Sequence, residues 1–253
     1  MNLRHTLSVT VATLGCSLLL SGCENMSTDD MISTGLAGFD AATISDEEIQ
    51  AMSAQACEQM DAESAIATPG SEYAQRLQRI ADNLGHQIDG IPVSYKVYMT
   101  DDINAWAMAN GCVRVYSGLM DMMTDNEIEG VLGHELGHVA LGHSKKAMQT
   151  AYATSIARDA MAASGNGAVA ALSSSQLGDL SEKFINAQFS QSQESDADNF
   201  SFDLLTDRGI PREGLLTGFE KFADMDGGES SLMSSHPGSK DRADNIRERL
   251  ANG

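Results

Sequence analysis

One stretch of five residues constrains this chain more than any other. His134-Glu135-Leu136-Gly137-His138 fits the pattern H-E-x-x-H. Four residues along an α-helix turn through about 400°, so the two imidazoles project from one face and can chelate one zinc ion. Glu135 lies about 100° further round, close enough to serve a water at the ion without being a ligand itself. The flanking sequence supports a helix here. Thr124 and Glu127 form a capping box, and Ile128, Val131, Leu132, Leu136 and Val139 supply the apolar pattern. Gly130, Gly133, Gly137 and Ala140 recur at spacings of three, four and three. Each helical glycine costs about 1 kcal/mol of propensity. The stripe therefore predicts close approach of another backbone, with accidental small residues as the alternative.

A hydrolytic zinc site needs a third protein ligand and an open position. On a continuous helix His143 would face away from His134, and it reads as a helix-end residue whose charged form suits the dipole. Leu141 and Ser144 stand where the metzincin extension requires glycine and histidine. A carboxylate is the better candidate. Around residues 180–206 a helical stripe runs through Phe184, Ala187, Gln191, Glu194, Asp198, Phe202 and Leu205. Two inward-facing carboxylates are costly unless something positive meets them. Glu194 on zinc and Asp198 on the outer N–H of a zinc-bound histidine would satisfy both. A solvated face is the other reading.

The 253 residues can bury a sizeable core, with 42% hydrophobic and 21% charged residues. Sixteen basic residues against 36 acidic ones give a net charge of −20, which argues against nucleic-acid binding. Ser45 with Glu48 opens a helix to about Met60, Thr68-Pro69-Gly70 breaks the chain, and a second helix spans about 71–84. Alternation predicts a strand over 93–99, and Asn110-Gly111 predicts a hairpin between 103–109 and 112–117. Beyond residue 125 the pattern is helical apart from loose stretches near 164–168 and 227–238. The expected class is α+β: mostly helical, with a small antiparallel sheet packed on the H-E-x-x-H helix.

Residues 1–22 read as a signal peptide ending in Leu20-Ser21-Gly22-Cys23, which resembles a bacterial lipobox. An ordinary secretory signal is the alternative. Under the lipobox reading Cys23 carries the lipid, 23–44 form a tether, and 45–253 form the domain. Glu24 in second place favours the outer membrane by resemblance to sorting rules, with the membrane contacted through the lipid alone. Cys16 leaves with the signal, so Cys57 and Cys112 remain to pair in an oxidising compartment or to stay as buried thiols.

The run of H-E-L-G-H, then E-S-D-A-D from Glu194 to Asp198, then S-H-P from Ser235 to Pro237 with Arg242, resembles the HtpX/Ste-type metallopeptidases. These are gluzincins, and the likeness covers about residues 70–250. It extends to Asn104-Ala105-Trp106-Ala107-Met108-Ala109-Asn110-Gly111, although the family's proline is missing there. The resemblance implies a zincin fold with one Zn2+ per chain held by His134, His138 and Glu194. It makes Glu135 the general base, has Asp198 orient His134, and puts His236 near the metal. There His236 would stabilise the transition state or act as a gate, with a loop cap before Pro237 as the alternative. The activity expected is an endopeptidase acting on misfolded or unassembled envelope proteins. Such substrates would lie extended along an edge strand near 103–109. The rival expectation is a zinc-containing assembly factor or chaperone that rarely cuts, or a protease self-inhibited by His236.

Overall fold

The computed structural model describes residues 44–162, 172–225 and 231–252. The expected signal peptide, Cys23 and nearly all of the tether lie outside these residues. Helix α1 (Asp46–Glu63) opens on the Ser45–Glu48 capping box. After the Pro69-Gly70 break, α2 (Glu72–Leu84) turns Leu77, Ile80 and Leu84 into the core. Strands β1 (Gln87–Ile88) and β2 (Ile91–Pro92) form a small hairpin. Its two-residue turn holds Asp89 and Gly90 at φ 46° and 81°, as the twist of paired strands favours. This hairpin has no counterpart in the sequence reading, because two residues are too few to show alternation.

Strands β3 (Ser94–Tyr98), β4 (Ala105–Ala107) and β5 (Cys112–Tyr116) form the main sheet in the order β3-β5-β4. The α+β class holds, but the sheet expected to be antiparallel is mixed. β5 pairs antiparallel with β4 and parallel with β3. After β3 the chain passes over the middle position before laying down β4, and the hairpin then returns β5 between them. That hairpin closes through Gly111, at φ 77°, whose N–H donates to the Met108 carbonyl at 2.9 Å. A Cβ at Gly111 would lie 2.1 Å from the Pro92 carbonyl oxygen, so only glycine fits.

The sheet is buried on both faces. Val97, Val113 and Val115 face the larger core, whereas Tyr98, Trp106 and Cys112 face a second one built with α1. A disulfide joins Cys57 of α1 to Cys112 of β5. Beside it, Asp61 accepts hydrogen bonds from the buried Arg114, from Lys96 and from Tyr98.

The short α3 (Ser117–Met122) leads into α4 (Asp125–Ala140), which is buried from Glu127 to Val139. There follow α5 (His143–Ala162), α6 (Ser174–Ile185), α7 (Gln191–Arg208), α8 (Glu213–Asp224), α9 (Ser231–Ser235) and α10 (Ser239–Asn252). The helix expected around 180–206 is two helices. Residues 186–190 separate α6 from α7, and a Ser190–Gln193 capping box restarts the chain. Helix α4 packs against α7 and α8, and its glycine stripe is what permits this. A Cβ at Gly130 would lie 2.7 Å from Leu215 Cα of α8, and one at Gly137 would lie 3.0 Å from Ala197 Cα of α7. The close backbone approach expected from the stripe is therefore present. Among the described residues no helix is long and apolar enough to cross a membrane.

Candidate active site

His134, Glu135 and His138 sit in the buried middle of α4, and Glu194 and Asp198 sit one turn apart on α7. The contact between these helices brings the five residues together. His236 follows α9, and Arg242 reaches in from α10. All seven side chains are buried.

The donor spacing provides a test for a metal. A tetrahedral zinc with donor bonds of about 2.0–2.1 Å separates its donors by roughly 3.3–3.4 Å. Here His134 Nε2 and His138 Nε2 are 3.0 Å apart, and His138 Nε2 lies 3.4 Å from Glu194 Oε1. His236 Nδ1 lies 3.2 Å from His134 Nε2 and 3.0 Å from Glu194 Oε1. One donor atom from each of His134, His138, Glu194 and His236 thus lies within 4.8 Å of all the others. A single zinc ion fits this set. Glu135 Oε1, buried without a hydrogen-bond partner, faces His236 Nε2 at 3.6 Å.

The outer nitrogens are also held. Asp198 Oδ1 lies 2.8 Å from His134 Nδ1. Arg242 grips Asp198 through Nε at 2.8 Å and Nη2 at 2.6 Å, and meets Glu194 Oε2 through Nη1 at 2.6 Å. Its guanidinium stacks on Phe219, 4.0 Å from the ring centre. One cation thereby compensates both inward carboxylates, in addition to the partners expected from the sequence.

His143 departs from expectation. The helix does not continue past Ala140: Gly142 at φ 75° reverses the chain, and α5 starts at His143. Its Nδ1 lies 3.0 Å from Nδ1 of His138. Rotation along a continuous helix therefore does not place His143, and Gly142 is the sequence signal of the break. Phe189, from the α6–α7 linker, stacks on His138 with ring centres 3.9 Å apart; nothing in the sequence pattern marked it.

The electrostatics suit ligands and a base. Burial raises the Glu135 carboxyl. Burial also pushes Glu194 upward, but the charge of His236 and hydrogen bonds from His138 and His236 outweigh it and hold Glu194 well below the carboxylate range. Asp198 stands at about 2 because Arg242 overcomes its burial. Burial keeps the His138 imidazole neutral to well below its ordinary range.

Comparison with known proteins agrees with this geometry. The chain is 54% identical to "Metalloprotease LoiP" and 56% identical to "Metalloprotease YcaL", both of Escherichia coli (strain K12). These alignments cover 94% and 93% of this chain and 94% of each relative. A Vibrio cholerae protease named for enhancing beta-barrel assembly is 27% identical over 68% of this chain and 39% of its own length. The sequence profile of Peptidase family M48 matches residues 69–250. That span takes in the H-E-x-x-H helix, the two carboxylates, His236 and Arg242, and this zinc metalloprotease belongs to peptidase family M48.

Proposed function

We propose that the protein is a zinc endopeptidase that cuts misfolded or unassembled polypeptides of the bacterial envelope. In this reading it is tethered to the outer membrane through a lipid on Cys23, a residue outside those described. The lipobox resemblance and the name of the Vibrio cholerae relative support the location. The single observation that carries the chemistry is the cluster of His134, His138 and Glu194 with Glu135 beside it.

His134, His138 and Glu194 would hold the zinc through Nε2, Nε2 and a carboxylate oxygen. The zinc would supply a Lewis acid that acidifies water and polarises a carbonyl. Glu135, with its proton affinity raised by burial, takes the proton from the attacking water and passes it to the leaving amine. Asp198 fixes the ring of His134, and His143 does the same for His138. Substrate adds as an extended strand to β4, the sheet edge that lines one groove with Glu135 and His236.

The donor set favours one refinement. His236 Nδ1 supplies a fourth protein donor at ligand spacing, and catalytic zinc sites keep that position open. The resting enzyme is self-inhibited until a substrate displaces His236. Glu135→Gln should keep one zinc per chain and lose cleavage of an unfolded protein, and undiminished cleavage refutes the mechanism. His236→Ala should raise basal cleavage, and a fall would make His236 part of the reaction instead.

A further inference from the structure

His143, Lys146, Thr150 and Thr154 recur at intervals of three and four, so they share one stripe of α5. The stripe floors a cleft of about 400 Å3, closed on the other side by Lys183 of α6 and by Phe189. In a chain with 36 acids against 16 bases, most described cations are already spoken for: Lys96 meets Asp61, Lys221 meets Glu127 and Arg249 meets Asp203. Lys146 is exposed at the cleft, and no carboxylate among the described residues pairs with it. Lys183, on the opposite wall, donates to Ser155 Oγ at 3.0 Å. Thr150 and Thr154 hand their hydroxyl protons to backbone carbonyls. The cleft thus presents the exposed ammonium of Lys146 on a molecule whose overall field is negative.

Its position relative to the reacting centre is fixed by two contacts. Ala187 and Phe189 wall both this cleft and the groove that runs along β4 past Glu135 and His236. Ser144, the second residue of α5, donates to the carbonyl of Ala107 at 2.8 Å and so pins the cleft floor to the C-terminal end of β4. An antiparallel strand added to β4 runs opposite to it, and its N-terminal portion lies over that end.

We propose that the cleft is a specificity subsite that takes an acidic side chain of the substrate polypeptide on the N-terminal side of the bond cut. The inference rests on the reading of β4 as the substrate strand. It assigns Lys146 a part in specificity and none in the chemical step.

The test uses the zinc-loaded protein and quenched fluorescent peptides of one sequence. Glu, Gln or Lys is placed in turn at each of three positions on either side of the cleaved bond. One position on the N-terminal side should show a KM about fivefold lower for Glu than for Gln, with kcat unchanged. Lys146→Glu should invert that order to favour Lys. Equal kcat/KM for the Glu and Lys peptides, a preference that survives Lys146→Glu, or one confined to the C-terminal side overturns the subsite. Peptide binding to the Glu135→Gln protein, followed by fluorescence polarisation, reads the same preference without turnover. Glu-selective binding there, combined with no cleavage by the wild type, leaves the subsite standing and refutes the endopeptidase reading. Equal binding of all three peptides overturns the subsite whatever the activity.

Discussion

Gly137→Ala tests whether the spacing of α4 and α7 sets the grip on zinc. The added Cβ would sit 3.0 Å from both Cα and O of Ala197 and 3.2 Å from Cβ of Phe200. Carbon atoms settle at about 3.5–4.0 Å, so α7 must withdraw by roughly 0.5–1 Å. Ala197 adjoins Asp198 and stands three residues after Glu194, so the turn that moves is the one carrying Glu194 and Asp198. Metal sites tolerate distance errors of about 0.2 Å. Zinc affinity should therefore fall on the order of 10- to 100-fold, the range seen when supporting groups are lost. Stability should change far less. Over-packing costs about 1–3 kcal/mol, and alanine recovers about 1 kcal/mol of helix propensity, leaving a net loss of roughly 0–2 kcal/mol. Gly178→Ala in α6 is the control, because its Cβ would meet only Gln59 Nε2 at 3.9 Å. That variant should gain about 1 kcal/mol and bind zinc as the wild type does. Chelator competition measures the first quantity and urea unfolding of the zinc-free proteins the second. A folded Gly137→Ala protein with wild-type zinc affinity would refute the reasoning.

Three further outcomes follow from the same geometry. His143→Ala should weaken zinc binding about tenfold in chelator competition with little change in the zinc-free urea midpoint, because it removes the outer partner of His138. Replacing Cys57 and Cys112 by serine should cost about 4 kcal/mol by loop-closure entropy over a separation of 55 residues, read as a lower urea midpoint under oxidising conditions. Asp61 provides a pH test. Burial pushes its carboxyl up, but hydrogen bonds from Arg114, Lys96 and Tyr98 outweigh that and bring it from 3.8 to about 2. Its contribution to stability is therefore complete above about pH 3.8 and is lost as pH falls toward 2. Asp61→Asn should flatten the change in urea midpoint between pH 5 and pH 2.5, and an unchanged slope would remove Asp61 as a source of acid sensitivity.

What could be read from sequence was local and periodic. The histidine pair on α4, the capping boxes at Ser45 and Thr124, and the glycine stripe all follow helical spacing, and each has its expected geometry. The pairing of Glu194 and Asp198 was legible because two acids on an otherwise apolar stripe demand a partner. The stripe itself was overextended, since Phe184 and Ala187 precede the restart at Ser190. The parallel pairing of β3 with β5 depends on where the chain crosses the sheet, and no residue pattern encodes that. Arg242 and Phe189 act on histidines many positions away, so their roles come from tertiary contact alone. His143 is a helix-end residue outside the donor set, as expected, but Gly142 turns its ring toward His138 rather than away.

The strand layer separates two regions fastened by different chemistry. On one side a sulfur bridge staples the first helix to the central strand. On the other, two helices and the residue after α9 bring four metal-donor side chains together. A reductant and a chelator should therefore loosen opposite halves of the molecule, and hydrogen exchange after each treatment would map a different boundary. A chain built this way can lose its hydrolytic centre and still present an intact folded half to its surroundings.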